Sequence, residues 1–224
     1  MIPFQNIQFA VEEIERMSRL EGIRGIILGT SGRGKGLDDR ELDPIWSALE
    51  RLGLTSFIHP HYGVGNEHYE GFGHSLFLAL GFPFETTVAV SRLILAGTMD
   101  RFPNLKLLLA HSGGCLPFLA GRLNSCVEGE PQLAASLKKK PSDYLRMMFY
   151  DAVIYQTPAM KLVHELVSED SMMFGTDHPF FPPSSGEERW PSTDKIHQAI
   201  DNLDASLAKK VRFQNARKLL NITE

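Results

Sequence analysis

The sequence predicts an α/β fold, a parallel sheet with helices outside it, as in an incomplete (β/α)8 barrel. Three observations support this prediction. Short apolar runs alternate with segments of helical period, their connections are short, and a histidine or an aspartate directly follows several of the apolar runs. Ligand and catalytic residues follow the strands in this way at the carboxyl face of such barrels. We count about five strands, which are too few to close a barrel of eight.

Apolar spacing and glycine stops predict the first four elements. Apolar side chains recur at close to a 3.6-residue period from Phe9 to Leu20. Gly22 and Gly53 are expected to end the first two helices, and Asp38 can cap the second. These elements are a helix over residues 8–20, a strand over 23–28, a helix over 38–52 and a strand over 55–58.

A long insert over residues 62–83, rich in glycine and aromatic side chains, precedes the remaining elements. Insertions of this length in a compact domain are usually functional. Residues 2–4 could form the end of one further strand. The later elements are a helix over 85–97, a strand over 105–110, a helix over 115–126, a strand over 148–154, a helix over 157–167, a strand over 172–175, and helices near 195–203 and 205–219.

Composition predicts one globular domain over residues 1–224, because 43% of the residues are hydrophobic and 22% are charged. A net charge of −4 gives no basic surface for nucleic acid. Apolar stretches such as residues 105–110 are far shorter than the ~20 residues that cross a bilayer, and no charged-then-apolar leader opens the sequence. We therefore expect a cytoplasmic protein that binds neither nucleic acid nor membrane.

The stretch from Gly29 to Lys35 formally matches the phosphate-binding pattern G-x-x-x-x-G-K. Gly36 stands where that pattern needs the Ser or Thr that holds magnesium, and the next helix begins only after Asp38. We therefore interpret this stretch as a mobile loop at the mouth of the site.

Two histidines follow the strand at residues 55–58. Side chains two residues apart in a strand face the same side, so His59 and His61 could converge on one ion. The proline between them weakens this geometry, and we expect His59 alone to be the ligand. The alternative for a lone histidine is a buried packing residue.

His111 and Asp177 also follow predicted strands. His111 precedes two glycines that permit close backbone approach, and the helix after it carries Arg122, which with the imidazole suits a carboxylate. A surface salt bridge is the alternative for Arg122. Asp177 can bind a metal and exchange a proton with substrate, although it could instead cap a helix. The remaining histidines are expected at the surface or in packing: His68, His74, His164 and His197.

Five segments, in this order along the chain, resemble the amidohydrolase-related decarboxylases. This family includes aminocarboxymuconate-semialdehyde decarboxylase and γ-resorcylate decarboxylase, and the chain is most similar to its fungal uracil-5-carboxylate (isoorotate) decarboxylases. The matching segments are Phe57 to Gly63, Leu78 to Thr87, Leu109 to Cys126, Tyr150 to Tyr155 and Met173 to Pro183.

The resemblance implies a (β/α)8 barrel that holds one divalent metal ion, most often zinc and in some cases manganese. It implies that His59 and Asp177 are metal ligands and that Asp177 and His111 are catalytic, with His111 alternatively binding a carboxylate. It further implies three residues that contact an aryl carboxylate substrate, one through its carboxylate and two through its ring: Arg122, Phe82 and Phe180.

The chain departs from the family pattern at its start, because no strand with His-x-His precedes residue 23. We therefore expect an N-terminally shortened amidohydrolase-related domain with two of four metal ligands. His61, His111, His178 or a partner chain would have to complete the site. An unpaired strand edge also favours a homo-oligomer.

Three functions follow from these observations. The leading hypothesis is a metal-dependent, non-oxidative decarboxylase of an aromatic or heteroaromatic carboxylic acid. The first alternative is a metal-dependent hydrolase of a lactone or amide, which would not need a carboxylate receptor such as Arg122. The second alternative is a non-catalytic paralogue with a binding or regulatory role.

Overall fold

Five parallel strands form one sheet, and their order in space is their order along the chain. The computed structural model describes residues 2, 4–183 and 188–222. This sheet confirms the predicted α/β fold with the strands of a partial barrel. The strands are β1 Gly25–Gly29, β2 Thr55–His59, β3 Lys106–Leu109, β4 Phe149–Asp151 and β5 Met172–Met173.

Helices connect the strands and cover one face of the sheet. Before β3 they are α1 Ile7–Ser18, α2 Asp43–Leu52, α3 Phe82–Leu95 and α4 Thr98–Arg101. After β3 they are α5 Leu116–Glu128, α6 Pro131–Ser136, α7 Pro141–Leu145, α8 Thr157–Leu166, α9 Pro191–Asp201, α10 Ala205–Lys209 and α11 Asn215–Leu219. Short 3-10 turns occur at Arg40–Leu42, Asn66–His68 and His111–Gly113, and π turns at Phe77–Gly81 and Lys210–Gln214.

The start of α2 differs from the prediction. The Asp38 carboxylate accepts hydrogen bonds from Arg92 instead of capping a helix. Asp39 caps the short 3-10 turn that follows it, and α2 begins at Asp43. The predicted stop at Gly53 is confirmed, because this residue adopts a left-handed conformation at φ 64° that glycine accommodates without strain.

Other differences concern short elements. The prediction missed α6 and α7, although each has a proline in its first turn, a position that proline favours. The strand predicted over residues 148–154 ends at Asp151, because the chain turns there. Ile2 and Phe4 lie outside any strand, and Pro3 lies outside the described residues.

The two faces of the sheet differ in burial. Ile26 and Leu28 of β1 are buried in the hydrophobic core that α1 and α2 share. Ile27 points to the other side and is 66% exposed. Residues that are paired in register in parallel strands point to the same face of the sheet. Ile27 is therefore the first member of a row of apolar side chains on this second face. The members of this row are Ile27, Phe57, Leu108 and Phe149.

The helical segment Phe77–Leu95 is long and apolar enough to cross a membrane, with a mean hydropathy of 1.4 over its best window. Core helices of water-soluble proteins have the same property. Within this segment Val90 and Leu93 are fully buried, while the charged groups of Glu85 and Arg92 bind other parts of the fold. We therefore interpret the segment as a core helix.

Replacement of Trp46 tests the core behind β1. The Trp46 side chain is fully buried, and its indole N–H donates to the Leu37 carbonyl at 3.3 Å. We expect Trp46→Ala to lower the free energy of unfolding by about 3–5 kcal/mol, because it leaves a large cavity. Urea denaturation measures this change. The control Phe118→Ala, at a side chain 79% exposed, should change it by less than about 0.5 kcal/mol, and equal effects would contradict the assignment.

Candidate active site

Three side chains from the carboxyl ends of different strands meet at one point. His59 is the last residue of β2, His111 follows β3 and Asp177 follows β5. One ligand atom from each lies within 4.8 Å of those of the other two. His111 Nε2 is 3.7 Å from Asp177 Oδ2. Parallel strands bring these residues together because their carboxyl ends share one edge of the sheet.

The Asp151 carboxylate fixes the turn that carries His111. It accepts the backbone N–H of His111 at 3.0 Å and that of Ser112 at 2.9 Å, and the Ser112 hydroxyl donates to the Asp151 carbonyl at 2.7 Å. His111 and Ser112 are both left-handed, with φ 53° and 52°. Such backbone persists only where the surroundings hold it, so Asp151 sets the direction of the imidazole.

Close packing against α3 brings the same turn next to Phe82. At Gly114, a Cβ atom would lie 2.3 Å from the Pro83 carbonyl oxygen, so only glycine fits this approach. The Thr87 hydroxyl joins the two segments, because it donates to Pro83 and accepts the N–H of Cys115. As a result the rings of Phe82 and His111 stack at 6.2 Å.

The Glu85 carboxylate fixes the loop after His59. It accepts the backbone N–H groups of His61 and Tyr62, at 3.1 and 2.8 Å, that of Gly63, and the Thr30 hydroxyl. Glu85 is 7% exposed. Sequence reasoning assigned no role to Glu85. Its position in an otherwise apolar helix could have indicated a buried carboxylate with hydrogen-bond donors around it, because a buried charge needs partners.

The surroundings shift the pKa values of the His59 and His111 imidazoles in opposite directions. Burial lowers the pKa of His59, and the positive charges of His111 and His61 lower it further, against the opposing contributions of Pro60 and Asp177. Burial also acts to lower the pKa of His111, but Asp177 and Asp151 outweigh it and raise that pKa. His59 thus favours the neutral form that a metal ligand requires, and His111 readily takes up a proton.

Burial places the pKa of the Asp151 carboxyl above its usual range, although His111 and the three N–H groups that it accepts oppose this effect. Tyr155 has a raised phenol pKa for the same reason, with the charges of Asp177 and Asp151 adding to it. Tyr155 and Asp177 are left-handed, with φ 59° and 57°. With His111, Ser112 and Phe181 (φ 56°), five of the described residues around this site share the conformation that non-glycine residues avoid.

The cluster of His59, His111 and Asp177 has a donor set that fits a divalent metal ion. The Nδ1 atom of His59 is 2.8 Å from the Pro60 carbonyl oxygen, a contact that leaves Nε2 free to bind an ion. Two imidazoles and one carboxylate are a set that zinc and manganese accept, and catalytic zinc sites commonly have three protein ligands. His59 and Asp177 are the two ligands that the sequence predicts, and the His111 imidazole lies next to both of them.

The other two histidines considered as ligands lie elsewhere. His61 is exposed beside Gly29 at the end of β1, and although its ring lies 5.9 Å from that of His59, it does not join the cluster with His111 and Asp177. His178 is exposed and packs on Trp190 with a ring separation of 4.4 Å. Within the described part of the chain, neither belongs to the metal-ligand cluster.

A cavity of about 630 Å³ opens beside His111 and Asp177. Apolar side chains form much of its wall, and Phe82 is among them, as the sequence predicts. Phe180 is 44% exposed and does not contribute to the wall, whereas its neighbour Phe181 does. The residues that line the cavity are Ser75, Leu78, Ala79, Phe82, Pro83, His111, Gly114, Val153, Ile154, Tyr155, Asp177, Phe181, Pro182, Pro191, Ser192 and Lys195.

Arg122 does not reach this cavity. It is exposed on α5, and among the described residues it has no hydrogen-bond or ion-pair partner. Lys195 of α9 is instead a cation that lines the cavity wall. Sequence reasoning gave no role to Lys195, Ser192 or Tyr155.

A family model described as amidohydrolase matches residues 3–222. The chain belongs to the amidohydrolase family. This result confirms the resemblance on which the sequence interpretation rests.

Proteins similar to this member of the amidohydrolase family are named decarboxylases. The 2-amino-3-carboxymuconate-6-semialdehyde decarboxylase of Dictyostelium discoideum is 34% identical over 180 residues, which are 80% of this chain and 50% of that protein. A crystal structure of Metarhizium anisopliae IDCase in apo form is 42% identical, with a TM-score of 0.92, and the match covers 96% of this chain and 61% of that one.

A third similar protein was crystallised with a metal ion and an aryl acid. The 5-carboxyvanillate decarboxylase of Novosphingobium aromaticivorans, in complex with manganese and 4-hydroxy-3-methoxy-5-nitrobenzoic acid, is 25% identical with a TM-score of 0.81. The match covers 99% of this chain and 63% of that one. The chain therefore spans between half and two thirds of the length of the three proteins that it resembles here.

Replacement of Glu85 tests whether its hydrogen bonds stabilise the loop that follows His59. Glu85→Gln exchanges one acceptor oxygen for an amide that cannot accept, so at least one loop N–H loses its partner. We expect the free energy of unfolding to fall by about 1–3 kcal/mol, as measured by urea denaturation. Glu128→Gln, at a side chain 59% exposed and paired with Lys140, is the matched control and should leave it within about 0.5 kcal/mol. Equal stability of the two variants would refute the role of Glu85.

Proposed function

We propose that this protein is a metal-dependent, non-oxidative decarboxylase of an aromatic or heteroaromatic carboxylic acid. One observation carries the proposal: the cluster of His59, His111 and Asp177 borders a largely apolar cavity beside the ring of Phe82. The cavity has the size of a small-ligand site. The names of the similar proteins support the same reaction class.

His59 and Asp177 are the proposed metal ligands, and His111 lies beside them as the proposed catalytic histidine. The ion is zinc or manganese, and the manganese bound to the Novosphingobium protein supports the second. When bound, such an ion would supply a positive charge that favours the substrate carboxylate and offsets the charge that develops on the ring.

Asp177 is the proposed proton donor. In its acid form its carboxyl gives a proton to the ring carbon that bears the carboxylate. The bond from that carbon to the carboxylate then breaks, its electron pair returns to the ring, and CO₂ leaves. His111, whose Nε2 is 3.7 Å from Asp177, can pass a proton back to the aspartate. The balance of the reaction needs no oxidant and no organic cofactor.

Phe82 is the proposed wall for the substrate ring, because it lines the cavity and stacks on His111. Phe180 is proposed for the rim, next to Phe181, which packs edge-to-face on Tyr155 at 5.9 Å. The role of Arg122 as a carboxylate partner stays a prediction from the resemblance, and its place on α5 does not add support.

The proposed partner is a small aryl carboxylate, and the proposed location is the cytoplasm. A homo-oligomer is also proposed. Ile27 of β1 is an apolar side chain that is 66% exposed, and exposed apolar surface favours association.

Metal content tests the ligand set independently of activity. We expect about one zinc or manganese ion per chain in the purified protein after loosely bound ions are removed, and His59→Ala should bring the content close to zero. Elemental analysis measures both values. His68→Ala, at a side chain 78% exposed, is the matched control and should keep the ion. An unchanged metal content in His59→Ala would exclude His59 as a ligand.

Replacement of Asp177 tests the reaction. Asp177→Asn should reduce turnover by about 10²–10⁴-fold, because an amide cannot donate the proton. The measurement is CO₂ release from a panel of aryl carboxylates that includes 2,6-dihydroxybenzoate and uracil-5-carboxylate. Asp201→Asn, which alters an exposed carboxylate paired with Arg212, should retain turnover. If the unaltered protein binds metal but releases no CO₂ from any of these acids, the proposed function is wrong.

A further inference from the structure

The cavity beside His111 and Asp177 is larger than one aromatic ring requires. Its volume is about 630 Å³, whereas an apolar cavity of about 150 Å³ is enough to bind benzene. Sites of several hundred Å³ usually enclose most of the small molecule that they bind. A single ring with its carboxylate beside His111 and Asp177 would therefore leave much of this cavity unfilled.

The charged and polar groups of the cavity lie at its reactive end and at its mouth. His111 and Asp177 form the reactive end, with side chains only 13% and 17% exposed. Ser75 and Lys195 are exposed to solvent, which places them at the mouth. The rest of the wall is largely apolar and includes Leu78, Phe82, Val153, Ile154, Phe181 and Pro182.

Two residues that carry hydroxyl groups do not make this part of the wall polar. Tyr155 and Ser192 line the cavity, but their hydroxyl oxygens are buried away from solvent. A ligand in the cavity thus meets the carbon atoms of these side chains. A polar substituent buried against such a surface would lose its hydrogen bonds to water without replacement, whereas burial of an apolar group is favourable.

Tyr155 and Phe181 form the part of the wall that comes from the segments after β4 and β5. Their rings pack edge-to-face at 5.9 Å, with an angle of 88° between the ring planes. Both residues are left-handed, with φ 59° and 56°. Non-glycine residues in this conformation are costly and concentrate at ligand sites. Strained backbone is therefore kept at two residues that give the cavity aromatic carbon surface.

We propose that the apolar part of the wall binds an apolar substituent on the ring of the substrate, such as an alkyl group. We refer to this region as the apolar subsite and define it by Leu78, Val153, Ile154, Tyr155 and Phe181. This inference rests on the proposed function, because it takes an aryl carboxylate as the ligand. It adds that the protein favours alkylated aryl acids over the unsubstituted acid.

Two series of benzoates test the apolar subsite by direct binding. Methyl, ethyl and propyl groups are placed at ring position 3 in one series and at position 4 in the other, so the carboxylate is the same throughout. Isothermal calorimetry on the purified full chain should show about threefold tighter binding for each added carbon in at least one series, the gain expected for a largely buried methylene group. A hydroxyl in place of the methyl group should give no gain, because its burial is not compensated.

Two substitutions with matched controls assign the gain to the apolar subsite. Leu78→Asn makes the wall polar and Phe181→Ala removes a ring from it, and each should reduce the gain to about 1.5-fold or less per carbon. Leu80→Asn alters the same π turn outside the cavity wall. Phe213→Ala alters a side chain that is 44% exposed, as Phe181 is, and that also lies outside the wall. Both controls should retain the gain of the unaltered protein.

The outcomes distinguish this inference from the proposed function. Affinity that does not rise with alkyl length in either series, no binding of any of these acids, or a gain that survives in both Leu78→Asn and Phe181→Ala would overturn the apolar subsite. An equal loss of the gain in the two controls would also overturn it. If the alkyl benzoates bind with the expected gain but no aryl acid releases CO₂, the proposed reaction is wrong and the apolar subsite stands.

Discussion

The geometry of the site depends on two buried carboxylates that bind backbone N–H groups of loops far from them in sequence. Asp151 on β4 holds the turn with His111, and Glu85 in α3 holds the loop that follows His59. Each carboxylate accepts at least three donors, which offset part of the cost of burying its charge. Because the acceptors lie on a strand and a helix, the histidines gain the rigidity of regular structure although they border irregular segments.

Much of the fold and the core of the site could be predicted from the sequence. The strands are short apolar runs, and His59, His111 and Asp177 could be found because each follows such a run closely. The roles of Asp151 and Glu85 could not be found, because their partners lie 40 and 24 residues away and only the folded chain brings them together. Local patterns carry no information about such distant pairing.

Side-chain direction limited the prediction of the cavity. The helix that carries Arg122 was predicted, but its period does not reveal which face meets a ligand, and Arg122 is exposed outside the cavity. Phe180 and Phe181 show the same limit in a loop. Phe181 has φ 56°, and one left-handed residue changes which of two adjacent rings turns inward, so Phe181 and not Phe180 lines the wall.

The left-handed residues around the site bear on how this protein could be engineered. His111, Ser112, Tyr155 and Asp177 all have φ between 52° and 59°, and each such residue costs about 1–3 kcal/mol relative to a relaxed backbone. Glycine would relieve that strain and would remove the functional group at the same time. A library selected for thermal tolerance alone would therefore collect glycine at these positions and lose the chemistry, so stability and function have to be selected together in this fold.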